Sequence, residues 1–182
     1  MPDKHHPSAE QGNRTSSQTR RIVLTGLLFA VAMILTFIEN MIPFPMPVPG
    51  IRLGLSNIVT MYALFFMKKR TAFELVFMKA LFVFLTRGAI ASLLSLSGGL
   101  ASILVMLLVM LLTRRQASVL LLSVVGAVVH NAGQLGAVSL IYTNVWVWGY
   151  LPVLFIAGIL AGVATSVLLK VTLPALKRLD LR

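Results

Sequence analysis

Residues 117–141 read ASVLLLSVVGAVVHNAGQLGAVSLI, a predominantly apolar stretch of 25 residues that contains no Asp, Glu, Lys or Arg. Because a helix rises about 1.5 Å per residue, about 20 residues cross the ~30 Å hydrocarbon core of a bilayer. The rest of the 182-residue chain has the same character, since 58% of all residues are apolar and 12% are charged. Soluble domains average about 45–50% apolar and about 25% charged residues. The composition therefore predicts an integral membrane protein.

Five further segments of the chain are apolar enough to be membrane spans. In chain order, the six predicted spans cover residues 21–38, 51–67, 71–94, 100–113, 117–141 and 151–173. The third and fourth spans are divided at the pair Gly98-Gly99, and five spans with a re-entrant segment are the alternative. The predicted fold class is an all-α membrane protein, a bundle of six transmembrane helices.

The basic residues indicate how this bundle is oriented. Most of the 16 Lys and Arg residues lie in the N-terminal tail, in the short segments 68–70 and 114–115, or from Lys170 onwards. Cytoplasmic loops carry such an excess of positive charge. Placing both termini inside brings all of these clusters to the cytoplasmic side, so we predict an N-in, C-in bundle.

The two ends of the chain differ from the apolar middle. Residues 1–19 are polar, contain two prolines and lack apolar periodicity, which predicts a disordered cytoplasmic tail. Residues 20–176 form the predicted transmembrane domain, and residues 177–182 a short basic cytoplasmic tail. The chain has no cysteine, so neither a disulfide framework nor a thiolate metal site is expected.

The first predicted outer loop has an unusual sequence. Residues 42–50 read IPFPMPVPG, with proline at every second position. Proline lacks a backbone N–H and fixes φ, so this run fits neither a helix nor the interior of a sheet. We interpret it as a stiff, extended strap that folds as a lid over a cavity mouth.

Ionisable and strongly polar side chains inside membrane spans are candidates for a functional site. By helical rise, Arg87 lies about 24 Å along the third span, and His130, Asn131 and Gln134 lie about 20–26 Å along the fifth, at the same level. Lys79 lies only about 12 Å along the third span, and we expect its long side chain to extend back to the cytoplasmic surface.

These side chains, together with polar residues around the proline-rich loop, are interpreted as a ligand pocket that opens to the outside. The alternative is a structural network of hydrogen bonds between helices. The predicted substrate-binding residues are Glu39, Asn40, Arg52, Asn57, Arg87, His130, Asn131 and Gln134.

Charged and small residues nearer the cytoplasm have separate interpretations. Glu74 follows Arg70 by four residues, which predicts an ion pair on one helix face. Small residues recur four apart in the fifth and sixth spans, as in Gly158 and Gly162, where they predict close helix packing inside the bundle. Gly26 and Ala30 in the first span have the same spacing and predict an interface with a partner protein.

Several kinds of chemistry have no supporting motif. The chain has no Gly-Lys dipeptide and hence no phosphate-binding loop of the kind that hydrolyses nucleotides, so any energy from nucleotide hydrolysis must come from a partner. No aspartate lies between Asp3 and Asp180, so residues that hold magnesium for diphosphate chemistry are missing. We expect no enzyme activity, no cofactor, no metal site and no nucleic-acid partner.

Three motifs carry a resemblance to a known family. They are ENMIP at residues 39–43, PGIRLGLSN at 49–57 and HNAGQL at 130–135. Together they resemble the Gx transporter family, often named heptaprenyl diphosphate synthase component I, over about residues 21–175. This family looks like the substrate-binding S components of energy-coupling factor (ECF) transporters.

The resemblance implies a six-helix vitamin-transporter fold in the cytoplasmic membrane of a prokaryote, with an outward-facing site under the first loop. It also implies that small residues on the first helix dock a transmembrane coupling subunit that carries cytoplasmic ATPases. S components commonly have an Ala-xxx-Ala pattern there, where this chain has Gly26 and Ala30.

The leading functional hypothesis is an S component that captures a small polar or anionic nutrient. Two alternatives come from other classes of protein. One is a noncatalytic membrane accessory of polyprenyl (heptaprenyl) diphosphate synthesis. The other is a self-sufficient proton-coupled carrier that uses Glu74, Lys79 and His130.

Overall fold

The computed structural model describes residues 7–41, 55–114, 116–143 and 145–180 of the chain. In this part the chain is helical and contains no strand. A short 3-10 helix, Val145–Tyr150, precedes the last α-helix. The six α-helices are α1 (Pro7–Met41), α2 (Asn57–Phe66), α3 (Lys69–Arg87), α4 (Ala89–Leu112), α5 (Val119–Tyr142) and α6 (Leu151–Asp180).

Four of these six helices, α1, α4, α5 and α6, contain segments long and apolar enough to cross a membrane. α2 is apolar but has only 10 residues, and α3 carries five charged residues within its 19. Large apolar side chains also point away from the bundle: Leu85, Leu111 and Leu140 are 74%, 75% and 82% exposed. The all-α membrane class is thus confirmed, whereas the six-span count and the N-in orientation remain predictions.

The first helix extends further towards the N-terminus than the composition indicates. α1 begins at Pro7, so residues 7–19 are helical where a disordered tail is predicted. Proline is well tolerated in the first turn of a helix, where its missing N–H has no intrahelical partner. No further proline interrupts the chain before Pro43, and adding residues to an existing helix costs little. At the other end, α6 likewise continues to Asp180, into the predicted C-terminal tail.

The boundary predicted at Gly98-Gly99 is wrong, because the third helix ends at Arg87. Gly88 has φ +87° and ψ 180°, a backbone conformation that residues with a Cβ rarely adopt. Its N–H still donates to the carbonyl of Phe84 (3.0 Å), and its own carbonyl accepts from the N–H of Ser92 (3.2 Å). Gly88 therefore closes α3 and opens α4 in a single residue.

Gly98 and Gly99 lie inside α4, where they let neighbouring helices come close. A Cβ on Gly98 would lie 2.8 Å from the carbonyl oxygen of His130 on α5, and one on Gly99 would lie 2.8 Å from Cγ1 of Val76 on α3. Both distances are shorter than real Cβ contacts. The glycine pair is thus a packing surface of a continuous helix.

Small residues also bring α5 and α6 together, as the sequence predicts. A Cβ on Gly158 would lie 3.0 Å from Cα of Val128, and one on Gly162 would lie 2.5 Å from Cα of Val124. Without side chains at these positions the two backbones approach closely, and dispersion forces hold them. The internal packing predicted for Gly158 and Gly162 is confirmed.

We expect Gly162→Ala to destabilise the protein by about 1–3 kcal/mol, the usual cost of overpacking a close contact. The atom that the new methyl group meets belongs to the backbone of Val124, so α6 must move away from α5. Thermal unfolding of the purified protein in detergent measures the effect. Gly136→Ala on α5 is the matched control, since no atom lies within 4 Å of that Cβ position. Equal melting temperatures for the two variants would contradict this account.

α1 is attached to the bundle along one narrow stripe. Its inward face buries Leu28, Ala32, Thr36 and Glu39, which follow one another at helical spacing. Among the residues that the structure describes, α1 packs against α2 and α3 and not directly against the other helices. The C-terminal end of this stripe, at Glu39, reaches the polar region described next.

Candidate ligand-binding cavity

A small polar cavity lies among α1, α3, α4 and α5. Its volume is about 20 Å³, and a water molecule needs about 10–15 Å³ by this measure. The side chains therefore leave room for about one water molecule in this conformation. The lining residues are Thr36, Glu39, Ser56, Lys79, Val83, Arg87, Ala91, Ser95, His130 and Gln134.

One face of α3 supplies both cations of the cavity. Lys79, Val83 and Arg87 follow at intervals of four residues, which places them in one row along the helix. Lys79 is only 7% exposed, so the prediction that its side chain extends to the cytoplasmic surface is wrong. The reason is that Lys79 lies on the buried face of α3, next to Val76 and Ala80, and faces the centre of the bundle.

The acid of the cavity comes from α1. Glu39 is 7% exposed, lines the same cavity as Arg87, and interacts electrostatically with its guanidinium. Arg87 also lies in the last turn of α3, where the helix dipole favours a positive charge. Arg87 is partly buried, and a charge withdrawn from water is stabilised by a partner of opposite sign. Glu39 is that partner for Arg87.

α5 contributes a pair of hydrogen-bonding side chains. Nε2 of Gln134 lies 3.1 Å from Nε2 of His130, and both side chains are buried. With the amide in this orientation Gln134 donates, which leaves the proton of the neutral imidazole on Nδ1. The missing side chain of Gly98 makes room for this pair, because a Cβ there would lie 2.9 Å from each of them.

Three polar atoms of the lining residues have no hydrogen-bond partner in the described part of the chain. They are Nδ1 of His130 and the hydroxyl oxygens of Ser56 and Ser95. An unsatisfied buried polar group costs about 1–3 kcal/mol. These three groups are therefore available to a water molecule or a ligand in the cavity.

The structure brings together four of the eight residues predicted to bind substrate: Glu39, Arg87, His130 and Gln134. Asn57 is buried but does not line the cavity, which its neighbour Ser56 does. The side chain of Asn40 and all of Arg52 lie outside the described residues, as does the predicted lid at 42–50.

Asn131 connects two helices. Its Nδ2 donates to the carbonyl oxygen of Leu154 on α6 (3.0 Å), and it does not line the cavity. Asn131 is adjacent to His130 in sequence and therefore about 100° away around the helix. Asn131 therefore fits the alternative interpretation, a hydrogen bond between helices, whereas His130 and Gln134 line the cavity.

Sequence reasoning missed Lys79, Thr36, Ser56 and Ser95 as lining residues. Lys79 had a usable signal, since it precedes Arg87 by eight residues and so lies on the same side of α3. For the three hydroxyl residues no comparable signal exists, because Ser and Thr also occur widely in membrane helices as packing residues.

The ion pair predicted between Arg70 and Glu74 is confirmed, with 2.9 Å between Nε and Oε1. Arg21 of α1 joins it from the other side, 3.3 Å from Oε2. Glu74 is thus held at the beginning of α3 and does not line the cavity. Glu74, Lys79 and His130, the residues proposed for proton coupling, therefore do not form one cluster.

Metal ligands are sparse around the cavity. Within the described residues no group of three or more His, Asp or Glu side chains could hold a metal ion. What the cavity offers instead is two cations, one acid and several hydrogen-bonding groups.

The described part of the chain is all-helical and has four helices able to cross a membrane, with charged side chains lining a cavity inside the bundle. These are the features of a multi-pass membrane protein. The chain belongs to the family described as heptaprenyl diphosphate synthase component I, whose model matches residues 28–172. This match confirms the family that the three sequence motifs indicate. Neither the comparison with curated proteins nor that with solved structures gave a match.

Proposed function

We propose that the protein is the substrate-binding S component of an ECF-type uptake transporter for a small, vitamin-like nutrient. The observation that carries this proposal is the polar cavity among the helices. Buried ionisable groups in membrane segments cost about 2.5–3.5 kcal/mol each on insertion scales. Eight polar side chains line this one cavity, four of them ionisable, and a molecule that they bind explains this arrangement best.

The proposed division of roles follows from charge and hydrogen-bonding capacity. Lys79 and Arg87 bind the negative charge of the substrate, and Arg52 adds a third cation from the first loop. His130 and Gln134 fix the orientation of the substrate by hydrogen bonds, as does Ser95. Asn131 has a supporting role, since its bond to Leu154 holds α6 against the helix that carries His130.

Access to this site requires a change of conformation. A cavity of about 20 Å³ is far below the roughly 300–1,000 Å³ of small-molecule sites. We propose that α1 moves aside when substrate enters, because among the described helices it packs only against α2 and α3.

Partner proteins supply the energy in this proposal. The first helix offers the surface for them, since Gly26 and Ala30 are exposed and no atom lies within 4 Å of a Cβ on Gly26. A transmembrane coupling subunit that docks here would connect the bundle to cytoplasmic ATPases. Both termini are cytoplasmic in this arrangement.

Mass spectrometry of the small molecules retained by the detergent-purified protein tests the proposal. We expect one small polar compound, in an amount comparable to the protein. The double variant E39Q/R87Q is the control: it replaces an ion pair by two neutral amides, so it should fold but lose the compound. If neither protein retains a compound and no added nutrient binds, the receptor function is wrong.

The family description favours a second candidate, a noncatalytic membrane accessory of heptaprenyl diphosphate synthesis. A noncatalytic role is specified because the chain has no aspartate between Asp3 and Asp180. Affinity purification from membranes distinguishes the two candidates. Co-purification with a soluble prenyl synthase favours the accessory, whereas co-purification with ATPases and a coupling subunit favours the S component.

A further inference from the structure

An acid in a site proposed for anions needs an explanation of its own. Glu39 is buried, lines the cavity and interacts with Arg87. A resident carboxylate next to the cation that is to bind substrate would compete with an anionic substrate. The same carboxylate pairs with Arg87 while the site is empty, and even a partly buried guanidinium is less stable without an acid.

The two cations are arranged along α3 with an apolar side chain between them. Lys79 and Arg87 are eight residues apart, which corresponds to about 12 Å along the helix axis. Val83 lies between them and lines the cavity from the same row. This row matches an elongated molecule with an acid group at each end and an apolar middle.

The charges of the cavity favour two acid groups in the substrate. Lys79 and Arg87 carry two positive charges, and Glu39 carries one negative charge. A substrate with two acid groups neutralises both cations only if Glu39 leaves the cavity, because with Glu39 in place the cavity would carry a net charge of −1. A substrate with an ammonium group gains Glu39 as a partner but leaves the positive charge of the site in excess.

The position of Glu39 on α1 connects binding to movement. Glu39 is the last residue of the buried stripe of α1, two residues before the helix ends at Met41. Among described residues this helix packs against α2 and α3, so few other contacts hold its C-terminal end. Separation of Glu39 from Arg87 would therefore loosen the C-terminal end of α1.

We infer that the cavity takes an organic dianion, and that one of its acid groups displaces Glu39 from Arg87 and so releases the C-terminal end of α1. This inference rests on the proposed receptor function. In the empty site the carboxylate of Glu39 occupies the position that one acid group of the substrate takes on binding. Binding then exchanges one carboxylate for another without leaving Arg87 unpaired.

Four probes of equal chain length test the charge requirement: adipate, 6-aminohexanoate, hexanoate and 1,6-hexanediol. We expect adipate to bind the full-length protein in lipid nanodiscs at least about tenfold more tightly than each of the others. E39Q should bind adipate about tenfold more tightly than wild type, because the competing acid is gone. K79M and R87Q should each weaken adipate binding by about tenfold or more.

Two controls separate binding of adipate by the cavity residues from a general effect of charge or folding. R70Q removes a charge from α3 outside the cavity and leaves the contact between Arg21 and Glu74 in place, so it should leave adipate binding unchanged. Without ligand, E39Q should melt at a lower temperature than wild type, since Arg87 lacks its acid, and adipate should restore the melting temperature.

The movement of α1 is measured with spin labels, because the chain has no cysteine of its own. Met41→Cys and Ile90→Cys place labels on exposed positions of α1 and α4. We expect adipate to change the distance distribution between them. E39Q should shift the distribution in the same direction without ligand.

Three results would overturn the inference. The first is that 6-aminohexanoate binds most tightly and E39Q abolishes its binding, which would make Glu39 a ligand for a substrate ammonium group. The second is that 1,6-hexanediol binds as tightly as adipate, and the third is that no probe binds to wild type or E39Q. A neutral or cationic compound retained by the purified protein would keep the receptor function while excluding the dianion.

Discussion

Replacing Arg87 with glutamine should weaken binding of the retained compound by about tenfold or more. Loss of one partner of a fully buried charge pair costs about 2–5 kcal/mol, and about 1.4 kcal/mol corresponds to a tenfold change in affinity. Arg87 is only partly buried, so the expected cost lies below that range. The R87Q substitution removes the guanidinium that faces Glu39 in the cavity. Equilibrium binding of that compound to purified wild-type and variant proteins measures the effect.

The matched control is Arg70→Gln on the same helix. Arg70 pairs with Glu74 at the other end of α3 and is largely exposed, so the loss of its charge should change binding by less than about twofold. E39Q/R87Q reports on folding, since it removes both members of the pair. If R87Q binds the compound as tightly as R70Q does, Arg87 does not contact the substrate.

Enlarging Gly26 to leucine should abolish ATP-driven uptake while substrate binding persists. Close docking of two membrane helices depends on small residues at the contact, and a leucine side chain would hold the coupling subunit away from α1. The fold should tolerate the change, because no atom lies within 4 Å of a Cβ at Gly26. Uptake into proteoliposomes that contain the partner subunits, compared with binding by the isolated protein, separates the two effects.

Gly136→Leu is the comparison variant for this experiment. Gly136 also has no atom within 4 Å of its Cβ position, but it lies on α5, away from the proposed docking surface. We expect transport by G136L to resemble that of wild type. Normal transport by G26L would remove the docking surface from the proposal and leave the cavity unaffected.

The membrane class and the local ion pair were accessible from sequence because each depends on short-range information. A long apolar stretch indicates that a helix lies in lipid. A spacing of four residues places Arg70 beside Glu74 on one helix. The pairing of Glu39 with Arg87 joins residues 48 positions apart. No local pattern specifies it, although the placement of both in one site was predicted.

The errors have physical causes of the same kind. Gly88 and the pair Gly98-Gly99 look alike in sequence, but Gly88 has a positive φ whereas the pair makes room for His130 and Val76. Only the neighbouring helices decide which glycine ends a helix. For Lys79, distance along the helix gave its depth but not its direction, and the direction determines whether a long side chain reaches water.

Two ionic contacts hold α1 against α3, one near each end of the packed region. Arg21 contacts Glu74, and Glu39 interacts with Arg87. Glu39 follows Arg21 by 18 positions, which correspond to about 27 Å along the helix. If the contact at Glu39 opens, α1 stays attached through the contact at Arg21 and through Leu28 and Ala32 in the core. Because α1 is one continuous helix, it would tilt about the attached part. Its C-terminal end at Glu39 and its N-terminal residues 7–20 would then move in opposite directions.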